Sequence, residues 1–185
     1  MSYFMQILVS LSITLAWLIF PLSASALTFQ MSADDYFRAG VQQLQRQNYQ
    51  EAVKDFTDVI DLNPNSAAAL SNRCLAYLQL GEYESAILDC TQAVNLNSQN
   101  TESYLNRGLA NYKQGNYQAA IADYQQVIKL KPIDFRAYYN RALAKSELKD
   151  YQEAISDFDT LTVKLRCDGR FLLQRVTLLN RCFQV

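Results

Sequence analysis

Asn72-Arg73, Asn106-Arg107 and Asn140-Arg141 are the residues of this 185-residue chain best suited to recognition chemistry, and each pair lies 34 residues after the last. Asparagine offers a donor and an acceptor, the complement of a peptide backbone. Arginine offers a planar fork of donors, the complement of a carboxylate. An aspartate recurs in the same phase, at Asp55, Asp89, Asp123 and Asp157. Catalytic sites are not copied into every unit of a repeating array, so these arginines and aspartates are predicted to stitch structure. The chain has no histidine, which removes the commonest general base and the usual zinc ligand. No CxxC, phosphate-binding glycine loop or nucleophile–base pair replaces it. No catalytic residue, metal or cofactor is therefore expected. A formal net charge of −1 supplies no global field for nucleic acid, and none is expected as a partner.

The elements that must position these residues follow from the same period. Half the residues are apolar, 19% are charged, and glycine (5) and proline (3) are scarce, which favours helices over a loop-rich β fold. Rows 33–66, 67–100, 101–134 and 135–168 align without gaps almost to the end, register being lost after Asp159. Tyr36, Leu70, Tyr104 and Tyr138 share a column, as do the small residues Gly40, Cys74, Gly108 and Ala142. Tyr49, Tyr83, Tyr117 and Tyr151 form a third, Ala52, Ala86, Ala120 and Ala154 a fourth, and Phe56, Cys90, Tyr124 and Phe158 a fifth. Each row reads as two helices. In the third, Leu105, Gly108, Leu109 and Tyr112 mark the first helix, Gln114-Gly115-Asn116 the turn, and a second helix from Tyr117 stops at Lys131-Pro132. Gly81 holds the turn place in row two, Gln47 and Lys149 in the outer rows. The small columns are predicted where paired helices approach most closely.

These columns resemble the tetratricopeptide repeat family, and the bacterial members in particular. The resemblance covers 33–168 and departs from the pattern in row one, where Arg38-Ala39 replaces Asn-Arg. It implies an all-α, right-handed superhelical solenoid of four helix–turn–helix units with a C-terminal cap, acting as a non-enzymatic scaffold. The partner implied is a peptide or helix received in a concave groove. First helices line that groove, which here would include Phe37, Asn72, Leu75, Asn106, Leu109, Tyr112, Arg136, Tyr139 and Asn140. Some relatives clamp a C-terminal carboxylate with Lys, Asn and Arg. At the matching places this chain offers Phe37, Val41, Asn72, Glu102 and Asn106, or one row later Ser71, Leu75, Asn106, Arg136 and Asn140. Neither frame has the lysines, which argues against capture of that kind. The competing readings are a piece of a longer repeat protein, or an enzyme with an unrecognised site.

Several expectations stay open at the level of sequence. Arg73, Arg107 and Arg141 pair either with the aspartate of their own row or with that of the preceding one; the second choice gives Asp55 the partner Arg73. The asparagines either meet a ligand or hydrogen-bond the neighbouring helix. Cys74 and Cys90 read as small apolar fillers of packing columns, the alternative being a disulfide between the helices of row two. Residues 169–185 place Leu172, Val176, Leu179 and Phe183 on one helical stripe and read as a capping helix, with docking on a partner or truncation as alternatives. Residues 1–33 carry no charged side chain. The apolar run Ile7 to Phe20, then Pro21 and the small-x-small site Ala24-Ser25-Ala26, predicts a signal peptide over 1–26 or an uncleaved anchor. The run is short for a bilayer span, which takes roughly 20 residues. Export to the periplasm or another extracytoplasmic space is expected, with membrane contact only through this segment if it is uncleaved.

Overall fold

The structure, a computed structural model, describes residues 31–167, with side chains to Thr162. The helices are α1 (Ala33–Gln45), α2 (Tyr49–Leu62), α3 (Ala67–Leu80), α4 (Tyr83–Leu96), α5 (Thr101–Lys113), α6 (Tyr117–Leu130), α7 (Phe135–Glu147) and α8 (Tyr151–Cys167). No strand occurs among the described residues. Each helix packs against its neighbours in the chain, and alternate first helices also touch, α3 with α5 and α5 with α7. The fold is an all-α helical repeat solenoid. The predicted signal segment 1–26 and cap 169–185 lie outside the described residues.

Local chemistry repeats with the rows. Ser66, Asn100 and Asp134 stand one residue before α3, α5 and α7, and each side chain accepts a backbone N–H of the first turn, from Ala69, Ser103 and Arg136 respectively. Those donors have no partner within the helix, so the caps fix where each first helix starts. The turn inside each repeat passes through one left-handed residue: Gln47 (φ 63°), Gly81 (φ 80°), Gly115 (φ 81°) and Lys149 (φ 67°). The geometry persists in the outer rows without glycine, so it is set by the packing of the two helices.

The small column explains that packing. A Cβ on Gly40 would stand 2.8 Å from the Phe56 ring, and one on Gly108 would stand 2.7 Å from the Tyr124 ring. Glycine thus admits a fully buried aromatic across the helix pair in rows one and three. Row two fills the same slot covalently. Cys74 and Cys90 form a disulfide with their Cα atoms 5.5 Å apart, which corrects the expectation of two separate apolar fillers. Both occupants solve one problem, since a small–aromatic pair and a cystine each close the gap between helices. Ala52, Ala86, Ala120 and Ala154 are buried as the column predicts.

The core forms clusters that each reach from one row into the next. Phe56 and Val59 of α2 cluster with Ala69 and Ala76 of α3. Cys90 of α4 clusters with Ala110 of α5, and Tyr124 and Val127 of α6 with Ala137 and Ala144 of α7. A second helix therefore buries its far side only against the first helix of the following row.

Candidate partner-binding face

The arginines of the Asn-Arg pairs turn into the seam. Arg73 Nε donates to Asp89 Oδ2 at 2.7 Å and its Nη2 to Oδ1 at 2.8 Å. Arg107 forks onto Asp123 through Nε (3.0 Å) and Nη2 (2.6 Å), and Arg141 Nε meets Asp157 at 2.9 Å. All three pairs lie within a row, with the aspartates buried. The cross-row alternative is thereby excluded, and Asp55 is corrected: it has no ion pair among the described residues, because its row has Ala39 at the arginine position. The third arm of the fork is what crosses rows. Arg73 Nη1 donates to Thr57 Oγ1 at 3.0 Å, and Arg107 Nη1 to Thr91 Oγ1 at 3.1 Å. Each guanidinium also stacks on a tyrosine of its own helix, Tyr77, Tyr104 or Tyr138.

The electrostatics follow from burial. Hydrogen bonds to Asp89 and Asp123 hold the Arg73 and Arg107 guanidiniums above their usual pKa. Burial pushes the Asp123 carboxyl up, with the Arg107 fork working against it. Burial, aided by Asp58 and Glu51, also raises Asp55.

One residue before each arginine, the asparagine emerges on the other side. Asn72, Asn106 and Asn140 are half-buried, and none of their side-chain amides is hydrogen-bonded to another described residue. The other six groove residues are half-buried too, all of them on first helices. Phe37 stands edge-on to Phe56 at 5.7 Å, and Tyr139 edge-on to Phe158 at 6.1 Å. Leu109 packs on the cystine cluster. Tyr112 leans on Tyr117 at 5.5 Å and donates its hydroxyl to Glu147 at 3.2 Å. Arg136 is committed to neighbours: Nη2 and Nη1 reach Glu102 at 2.6 and 3.0 Å, while Nε meets Asp134 at 3.0 Å. Those bonds hold Arg136 well above its usual pKa, and Arg136 in turn holds the Asp134 carboxyl below the usual carboxylate range. The face therefore presents aromatic rings, leucines and amides uncommitted among the described residues, with its arginine, Arg136, already neutralised.

Sequence reasoning missed the contacts that reinforce this frame. Glu102 and Arg136, 34 apart, join α5 to α7, and so do Tyr112 and Glu147, 35 apart. Ser103 donates its hydroxyl to Ser71 at 2.8 Å, joining α5 to α3. Asn111 donates to Asp123 at 3.5 Å, and the buried Lys145 reaches Asp157 at 3.1 Å. The last two lie four residues after the row's arginine, on the same helical face, and that spacing was the available signal.

Three family models match the chain, all described as tetratricopeptide repeats: over 36–66, 75–115 and 105–165. Among solved structures, a crystal structure of MamA is similar with TM-score 0.73 and 23% identity, covering 81% of this chain and 85% of that one. The first repeat domain of RPAP3 (Spaghetti), bound to the HSP90 peptide SRMEEVD, gives TM-score 0.62 and 29% identity over 63% of this chain and 93% of that one. The second repeat domain of human RPAP3, in complex with the HSP70 peptide SGPTIEEVD, gives 0.59 and 28% over 61% and 94%. No curated protein matches the sequence.

Proposed function

The chain belongs to the tetratricopeptide repeat family, and on that premise we propose that its first-helix face receives a peptide or helix of a partner protein, as a non-enzymatic scaffold in an extracytoplasmic setting. A protein or peptide partner is the kind that similar domains bind, RPAP3 with HSP90 and HSP70 peptides being the examples. The observation that carries the reading is the state of the asparagines. Three amides 34 residues apart sit half-covered without a hydrogen-bond partner among the described residues, and a ligand backbone supplies what each can accept and donate. Phe37, Leu75, Leu109, Tyr112 and Tyr139 supply the apolar contact beside them. A groove held by ion pairs loses little entropy when it is filled, so binding energy is retained as affinity.

The chemistry of the face separates this partner from the acidic ends of SRMEEVD and SGPTIEEVD. Arg136 is spent on Glu102 and Asp134, and neither five-residue frame of the groove holds a lysine. The partner segment is therefore an internal, weakly charged one. The cystine of row two supports an oxidising compartment, in keeping with the apolar N-terminal segment.

Affinity capture from the envelope fraction of the source cells tests the proposal, comparing wild type with Asn106→Ala/Tyr139→Ala. Loss of at least about tenfold in the yield of a specific partner is expected, equivalent to about 1.4 kcal/mol. Equal capture by a folded double variant would refute the face. A peptide ending in EEVD should not compete with the captured partner.

A further inference from the structure

Row one keeps half of a site that the other rows complete. In rows two to four an aspartate of the second helix grips the guanidinium placed 16 residues before it, Asp89 on Arg73, Asp123 on Arg107 and Asp157 on Arg141. In rows three and four that guanidinium also lies over the tyrosine three residues before it, Tyr104 or Tyr138. Row one has the aspartate, Asp55, and the tyrosine, Tyr36, both half-buried, but Ala39 stands in the arginine's column. Asp55 has no hydrogen bond or ion pair among the described residues. Arg38 turns instead to Asp35, at 2.9 Å. The surroundings deepen the negative charge. Glu51, Asp55 and Asp58 share one face of α2 at helical spacing. Burial, then Asp58 and Glu51, push the Asp55 carboxyl up, with Lys54 the smallest and opposing influence. Residues 33–62 hold twice as many acids as bases, while the rest of the chain has a small excess of bases.

We propose that Asp55, with Tyr36 beside it, docks an arginine side chain of a partner protein, which takes the place that Arg73, Arg107 and Arg141 hold in the other rows. The neighbouring residues choose this occupant. The chain's own N-terminal segment does not supply it, since residues 1–33 carry no charged side chain. A second copy stacked end to end would repeat the contact between rows. That contact is made through small buried residues, Ala69 and Ala76 in row two and Ala137 and Ala144 in row four. Row one has Asp35 and Gln42 in those columns, too large and too polar to admit another second helix. A segment that reaches in with one side chain meets no such obstacle. Guanidinium suits the site better than ammonium, because it satisfies both carboxylate oxygens and stacks on the ring. An exposed ion pair contributes little, so the partner must cover the fork as the seam covers Arg107 and Arg141, which are 20% and 16% exposed.

Isothermal titration calorimetry on the whole oxidised protein tests this, with a blocked peptide of repeated Arg-Ala-Ala triplets and its lysine counterpart as probes. The arginine peptide should bind at least about fivefold more tightly than the lysine peptide. Ala39→Arg, which supplies the guanidinium from α1, should weaken it at least about tenfold. Asp55→Asn, which removes the charge without adding bulk, should do the same. Glu82→Gln makes an equal change of charge in row two and should leave binding within about twofold. No binding to wild type overturns the proposal. Equal affinity for both peptides, or equal losses in Glu82→Gln and Asp55→Asn, also overturns it by assigning the contact to net charge alone. Binding unchanged in Asp55→Asn places the peptide elsewhere and overturns it too.

Discussion

Reducing the Cys74–Cys90 disulfide isolates the contribution of the one repeat that fills its helix-pair slot covalently. The bridged residues are 16 apart in sequence. The chain-entropy relation for a loop of that size gives a stabilisation of about 3 kcal/mol at 25 °C. With a urea m-value of about 1.5 kcal/mol/M for a domain of this length, the midpoint should fall by about 2 M. The assay is urea unfolding followed by circular dichroism at 222 nm, with and without reductant, alongside a thiol count showing two additional free thiols. A second comparison separates entropy from packing. Cys74→Gly/Cys90→Phe installs the pair that row one uses at Gly40 and Phe56, where the ring is fully buried. This variant should lie above the reduced protein, because the phenyl ring buries more apolar surface than two thiols. A midpoint that moves by less than about 0.3 M when both thiols are liberated would refute the loop-entropy reasoning. A swap less stable than the reduced form would refute the equivalence of the two slots.

Other substitutions probe the polar interior. The Tyr124 hydroxyl is buried without a hydrogen-bond partner among the described residues, and burial pushes it far above the ordinary phenol range. Tyr124→Phe should therefore stabilise the protein by about 1 kcal/mol, and a loss of that size would mean that the hydroxyl has a partner. Arg107→Leu strands the buried Asp123 and should cost about 3–5 kcal/mol, most of it recovered by adding Asp123→Leu. A single variant within about 1 kcal/mol of wild type would contradict the seam. Asp134→Asn keeps the cap on α7 but removes the charge that faces Arg136. Arg136 depresses the folded pKa of Asp134, so this group's stabilisation is complete above the unfolded value, about pH 4, and is lost as pH falls through the lower folded value. Unfolding midpoints of wild type and Asp134→Asn should thus differ by a constant amount from about pH 5 to 8 and converge below about pH 4. Divergence on acidification would be the contrary result.

Whatever recurs at 34 residues was legible before any coordinates. The helix pairs, the turn places at Gln47, Gly81, Gly115 and Lys149, and the buried alanine column all follow from columns whose residue types have one packing reason. What stayed open depended on reach and direction. Arg73 is 16 residues from both Thr57 and Asp89, so sequence distance cannot say which neighbour takes the paired fork and which the single arm. The cystine stayed an alternative because a thiol at Cys74 suits the small column equally well. Arg136 misled for a related reason. Its place on a first helix was read correctly, but Glu102, which shares it with the neighbouring cap Asp134, meets it only once α5 and α7 are set side by side.

The division of labour within each Asn-Arg pair follows from helix geometry. Successive side chains on a helix diverge by about 100°, so a dipeptide can send one group into the seam and the other onto the open face. Arginine suits the inward role because one guanidinium satisfies both oxygens of a buried carboxylate and, in Arg73 and Arg107, still has an N–H for the preceding row. That arm fixes the angle between repeats as well as within them. The open face therefore inherits its curvature from the seam, and the spacing between Asn72, Asn106 and Asn140 is set before any ligand arrives. Row one, with Ala39, has no arginine of its own in the seam and is held only as the acceptor of the Arg73 arm at Thr57. If groove geometry governs recognition, the partner's contacts should concentrate on rows two to four, where the amides are held, with Phe37 contributing apolar area alone.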